Sequence, residues 1–126
     1  MRKFLEVGAL LAFLGVAAGA FGAHWLRERV PAEMLEVFRT GALYQMIHAL
    51  ALVALGASGA RLGSWGERSA WLFIAGTVLF SGSLYALALS GVRVWGAVTP
   101  LGGICFLAGW LCLFVAARQS DDLLGT

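Results

Sequence analysis

The sequence predicts an all-α integral membrane protein, an antiparallel bundle of four transmembrane helices with a short amphipathic helix between the first two. Two observations predict it. First, the nine Lys and Arg and seven Asp and Glu are gathered into clusters, leaving four uncharged stretches: Val7 to Leu26, Thr40 to Ala60, Ser69 to Val92 and Val94 to Ala117. A helix rises about 1.5 Å per residue and the hydrocarbon core is about 30 Å thick, so roughly 20 apolar residues cross it, and all four stretches qualify. Second, 60% of the chain is hydrophobic and its mean hydropathy is +0.85, well above the roughly 45–50% apolar usage of soluble domains. No alternation of apolar and polar positions appears, so the spans are helices and not barrel strands. Residues 1–126 read as one membrane domain with spans over 5–26, 40–60, 69–91 and 95–117, and the amphipathic helix over 31–39.

Span one follows Met1-Arg2-Lys3. Its early Glu6, its length and the three spans after it read as a membrane anchor and not as a cleaved leader. Gly15, Gly19 and Ala23 recur every four residues, a small-residue stripe that lets two helices approach closely, either within the chain or between copies. Between spans one and two, Pro31 suits a first helical turn. Met34, Leu35 and Phe38 then share one face while Glu33, Glu36 and Arg39 fall outside it, the pattern of a helix lying at the membrane surface or against the bundle mouth. The remaining connections, near Arg61 to Arg68 and near Arg93, are short enough to force antiparallel neighbours. Span four opens with Thr99 as a cap and Pro100 in the first turn, and its Gly102, Gly103 and Gly109 can also serve packing.

Four passes put both termini on one side, with Arg2, Lys3, Arg61, Arg68 and Arg118; Arg27, Arg29, Arg39 and Arg93 lie on the other. Positive charge at the first helix orients the termini to the cytoplasm. Trp25 and Trp95 mark one interface and Trp65 and Trp71 the other, as aromatic belts do. Trp110 lies deeper. A net charge of +2, with its cations scattered over all loops, excludes a nucleic-acid surface. Cys105 and Cys112 are roughly 10 Å apart along one helix, too far to bridge, and read as packing or lipid-facing thiols.

Polar groups at membrane depth are costly and turn inward, so they are the functional candidates. His24 ends span one; Tyr44, Gln45 and His48 lie early in span two; Ser81, Ser83 and Tyr85 lie late in span three; Thr99 opens span four. In an antiparallel bundle these eight meet in the leaflet opposite the termini, and the other half is almost purely apolar. Thr40, Tyr44 and His48 recur every four residues, as do Thr77, Ser81 and Tyr85, giving two stripes able to hydrogen-bond across the bundle. They read either as interhelical glue or as a polar pocket open to the non-cytoplasmic side. A His24 and His48 pair could relay a proton, but two histidines without a carboxylate at membrane depth make no complete metal site. Neither metal nor cofactor is expected, and no catalytic triad, acid pair or phosphate loop emerges.

Gly19-Ala20-Phe21-Gly22-Ala23-His24, Thr40-Gly41 with Tyr44-Gln45 and His48-Ala49-Leu50-Ala51, Leu79-Phe80-Ser81-Gly82-Ser83-Leu84-Tyr85 and Thr99-Pro100-Leu101-Gly102-Gly103 resemble the signature segments of the domain of unknown function 423 family. That family also looks related to eukaryotic transmembrane protein 256. The resemblance covers nearly the whole chain. It implies a four-helix protein of bacterial inner membranes with mitochondrial relatives, and no activity, substrate or cofactor. The leading expectation is a non-enzymatic binding or scaffold module or accessory subunit, in contact with membrane lipids and able to form a homo-oligomer or join a larger complex. The alternatives are a small oligomeric channel or transporter for protons or a small solute, and a membrane enzyme acting on a lipid or quinone.

Overall fold

The computed structural model describes the backbone of residues 1–124 and the side chains of residues 1–120. Four helical spans cross in sequence, each long and apolar enough for a bilayer. Span one is α1 (Arg2–His24) and span two is α2 (Ala32–Ala57). Span three is α3 (Gly63–Gly76), a π-helical segment (Thr77–Ser81) and α4 (Gly82–Ser90). Span four is α5 (Thr99–Leu124). Short 3₁₀ turns, Leu26–Glu28, Gly59–Leu62 and Arg93–Ala97, make the connections. Gly91, at φ +71°, ends α4 in the left-handed conformation and gives its N–H to Leu87 O at 2.8 Å, the common glycine helix stop.

Residues 31–39 do not form a separate helix; residues 32–39 are the first turns of α2, and Pro31 stands just before them as its N-cap, not in the first helical turn. No breaker stands between Phe38 and span two, and the Thr40 hydroxyl bonds back to Glu36 O within the helix. The amphipathic pattern still governs the packing. Leu35 and Phe38 are buried with Leu26 and Ala88 at the bundle mouth, while Glu33, Glu36 and Arg39 are exposed.

The spans pack in sequence order: α1 on α2, α2 on α4 and the π segment, α5 on α3 and the π segment. Spans two and three therefore form the shared centre. Their most apolar windows are 44% and 39% buried, against 17% and 22% for spans one and four, so the flanking helices turn most of their surface away from the bundle. Lys3 ties the ends of spans one and three together, lying 5.2 Å from the ring centres of both Phe4 and Trp71 and 3.7 Å from Glu67.

Glycines set the closest approaches, though not all the expected ones. The face of α1 against α2 carries Gly8, Gly15 and Gly22, spaced by seven and all buried. A Cβ on Gly8 would lie 2.8 Å from Val53 N, and one on Gly15 would lie 2.7 Å from Met46 Sδ. Gly19, expected in this stripe, is exposed and faces open space, and Ala23 is half-buried. On span four, a Cβ on Gly102 would overlap the Phe80 backbone and one on Gly109 the Phe73 ring, whereas Gly103 meets nothing within 4 Å. Gly102 therefore presses the start of α5 directly onto the π segment. π-Helical turns recur at functional positions, and this one presents Phe80 to α5 and Ser81 to α2.

Candidate functional site

Two side chains three residues apart on α2 link all four spans. Gln45, 5% exposed, donates Nε2–H to Leu11 O of span one at 2.8 Å and accepts the Tyr85 hydroxyl of span three on Oε1 at 2.7 Å. His48, 2% exposed, accepts the Trp110 indole N–H of span four on Nε2 at 3.0 Å. Its Nδ1 lies 2.7 Å from Tyr44 O. An indole N–H only donates and a backbone carbonyl only accepts. These two partners therefore assign His48 the neutral tautomer with its proton on Nδ1. The ring also stacks on Phe106, with centroids 3.6 Å apart and planes 5° from parallel, and Phe73 packs edge-on at 5.2 Å.

Further bonds close the cluster. Ser81 Oγ donates to Gly41 O of α2 at 2.7 Å, reachable because Gly41 lets the Tyr85 ring and Leu84 come against the helix. Ser83 and Thr99 pair through their hydroxyls at 2.6 Å, joining spans three and four. Thr99 thus turns to Ser83 and Trp95 O rather than capping α5; Pro100 sits in the first turn as expected. Of the two four-residue stripes, Ser81 and Tyr85 reach across to α2, while Thr40 and Thr77 bond to carbonyls of their own helices.

Six of the eight expected cluster residues, Gln45, His48, Ser81, Ser83, Tyr85 and Thr99, lie in this network. Two do not. His24 is exposed at the end of α1 and makes no side-chain hydrogen bond among the described residues, so it forms no pair with His48. Tyr44 is 38% exposed; its ring packs on Phe80 at 4.7 Å, and its hydroxyl has no partner among the described residues. Both nitrogens of His48 are occupied, and no three His, Cys, Asp or Glu converge among the described residues. Cys105 and Cys112 are free and half-buried.

Residues that the sequence reading did not place in the site complete it. Trp110 is the donor to His48 and Phe106 its stacking partner. Beside them, between α2 and α5 and over the π segment, lies a groove of about 460 Å³ lined by Tyr44, His48, Phe80, Phe106, Trp110 and Gly103 among others. Its rim residues Ile104 and Leu107 are 62% and 68% exposed, so it opens sideways toward lipid. The depth of Trp110 and the Gly102-Gly103 pair were the available signals for it.

Residues 18–103 match the family described as Protein of unknown function (DUF423). The chain belongs to this family. The DUF423 match contains all eight candidate cluster residues and Gly103, with Trp110 beyond its end. Among similar proteins, the UPF0382 membrane protein YwdK of Bacillus subtilis is 44% identical over 119 residues, 93% of this chain and 97% of the relative. The UPF0382 inner membrane protein YgdD of Escherichia coli K12 is 46% identical over 117 residues, 92% of this chain and 89% of the relative. No solved structure matches. This DUF423 protein is thus an integral membrane protein with four apolar spans.

Proposed function

We propose that this protein is a non-enzymatic binding or scaffold module of the bacterial inner membrane, and that its polar cluster is an internal frame rather than a reaction centre. One observation carries the reading: Gln45 and His48 use their hydrogen-bonding groups to hold spans one, three and four onto span two. A buried polar group held by hydrogen bonds to neighbouring helices fixes a packing arrangement, and a proton path would need groups left free to exchange partners. The name of the Escherichia coli relative supports the inner membrane, and Arg2 and Lys3 before span one favour cytoplasmic termini. The sparsely buried spans one and four offer surfaces for a second copy or for a larger complex, in which the protein would serve as an accessory subunit.

The test is His48→Ala in the full chain, purified in mild detergent and reconstituted into liposomes. The reading expects reduced folding or assembly, with wild-type liposomes passing no more protons or small solutes than empty ones. Intact assembly of His48→Ala with selective loss of a flux seen in wild type would overturn it.

A further inference from the structure

We propose that the groove between α2 and α5 binds the head ring of a prenylated quinone-type lipid entering sideways from the bilayer, with the Tyr44 hydroxyl donating to a ring carbonyl. The lining is a set of flat surfaces. Phe106 stacks on His48, Tyr44 lies 4.7 Å from Phe80 and 6.3 Å from Phe106, and Trp110 stands 5.7 Å from His48. Aromatic walls favour a flat ring in offset or edge-on contact, and the volume of about 460 Å³ falls in the usual range of about 300–1,000 Å³ for ligand sites.

The polar chemistry narrows the ligand. The Trp110 N–H and both His48 nitrogens are engaged inside the protein, which leaves the Tyr44 hydroxyl as the free donor of the lining. Water is scarce at this depth, so that hydroxyl wants an acceptor from a neighbouring molecule. Among the described residues no charged side chain lines the groove, so an anionic headgroup finds no counter-charge and an uncharged carbonyl fits. Gly103 opens the wall. A Cβ there would meet nothing within 4 Å, so this glycine serves no helix contact, unlike Gly102 beside it.

The inference rests on the frame reading, because only a fixed frame presents a preformed groove. Full-length protein in phosphatidylcholine nanodiscs is titrated with a decyl-tailed ubiquinone analogue while tryptophan fluorescence is recorded. Wild type is expected to show saturable quenching. Gly103→Leu fills open space and should weaken binding by about tenfold or more, the loss of one buried ring's contact. Tyr44→Phe should weaken it about three- to tenfold through one hydrogen bond. Circular dichroism checks the fold of each variant. Quenching that is linear in quinone, or unchanged in folded Gly103→Leu or in Tyr44→Phe, would overturn the proposal. So would quenching by brominated phosphatidylcholine tails that the quinone fails to displace, which would assign the groove to an acyl chain. Failure of the frame reading shows elsewhere, in the unfolding of Gln45 variants without any quinone.

Discussion

Replacing Gln45 by Leu removes two interhelical hydrogen bonds while keeping a side chain of similar size. The bonds lost are those to Leu11 O at 2.8 Å and from the Tyr85 hydroxyl at 2.7 Å, so spans one and three both lose a tie to span two. Interhelical bonds in membrane proteins average about 0.6 kcal/mol and reach about 1.7, which makes the pair worth about 1–3 kcal/mol. Tyr85 is also left with a half-buried hydroxyl and no partner, a further cost of about 1 kcal/mol or more. The expected destabilisation is about 2–4 kcal/mol, a large part of a small protein's stability. Reversible unfolding in mixed detergent micelles with rising dodecyl sulfate, followed by circular dichroism, measures it. Tyr85→Phe alone should cost about 1–2 kcal/mol. The double variant should be less destabilised than the sum by about 0.5–1.5 kcal/mol, since both changes break the same bond. A Gln45→Leu protein within about 0.5 kcal/mol of wild type, the range of an ordinary surface substitution, or full additivity of the two changes, would refute the reasoning.

Two further outcomes follow from the same packing. Gly102→Ala should destabilise the contact of α5 with the π segment by about 1–3 kcal/mol, the cost of overpacking, because its Cβ would overlap the Phe80 backbone; Gly103→Ala should be neutral or slightly stabilising in the same unfolding assay, as expected for a helical glycine in open space. For orientation, a membrane-impermeant maleimide should leave wild-type Cys105 and Cys112 unlabelled in intact cells, and should label Ser64→Cys, in the first turn of α3, only after the cytoplasmic face is exposed; labelling in intact cells would reverse the proposed topology.

The four spans were legible because bilayer thickness leaves a length and a charge pattern that one strand of text carries. The polar positions were legible for the same reason: Gln45, Ser81 and Tyr85 stand out against hydrocarbon wherever they point. Partners were less legible. Gly15 belongs both to a four-residue stripe with Gly19 and Ala23 and to a seven-residue stripe with Gly8 and Gly22, and only the neighbouring helix decides which face is covered; α2 chose the second. His24 is the last residue of α1 and so was counted with the polar positions of the spans, yet the chain leaves the helix there and the ring stays at the surface. The π segment has no composition of its own. It is set by where Gly102 meets Phe80 and where Ser81 meets Gly41, contacts between residues more than 20 positions apart. The fusion of residues 32–39 into α2 was hidden because an amphipathic turn and a membrane helix share one backbone geometry, and charge alone marked a boundary that the backbone does not observe. Trp110 was visible as an anomaly of depth, and its meaning came only with His48 beside it.

The central claim is that the polar cluster is closed on itself, and His48 is where it can be read most directly. Nitrogen-15 NMR of labelled histidine in lipid nanodiscs at neutral pH, assigned with His24→Gln, reports the protonation of each ring nitrogen. The frame account expects a neutral ring with the proton on Nδ1 and a lone pair on Nε2 bonded to the Trp110 indole N–H. An imidazolium, a proton on Nε2, or a ring exchanging between forms would contradict it and mark His48 as a working group.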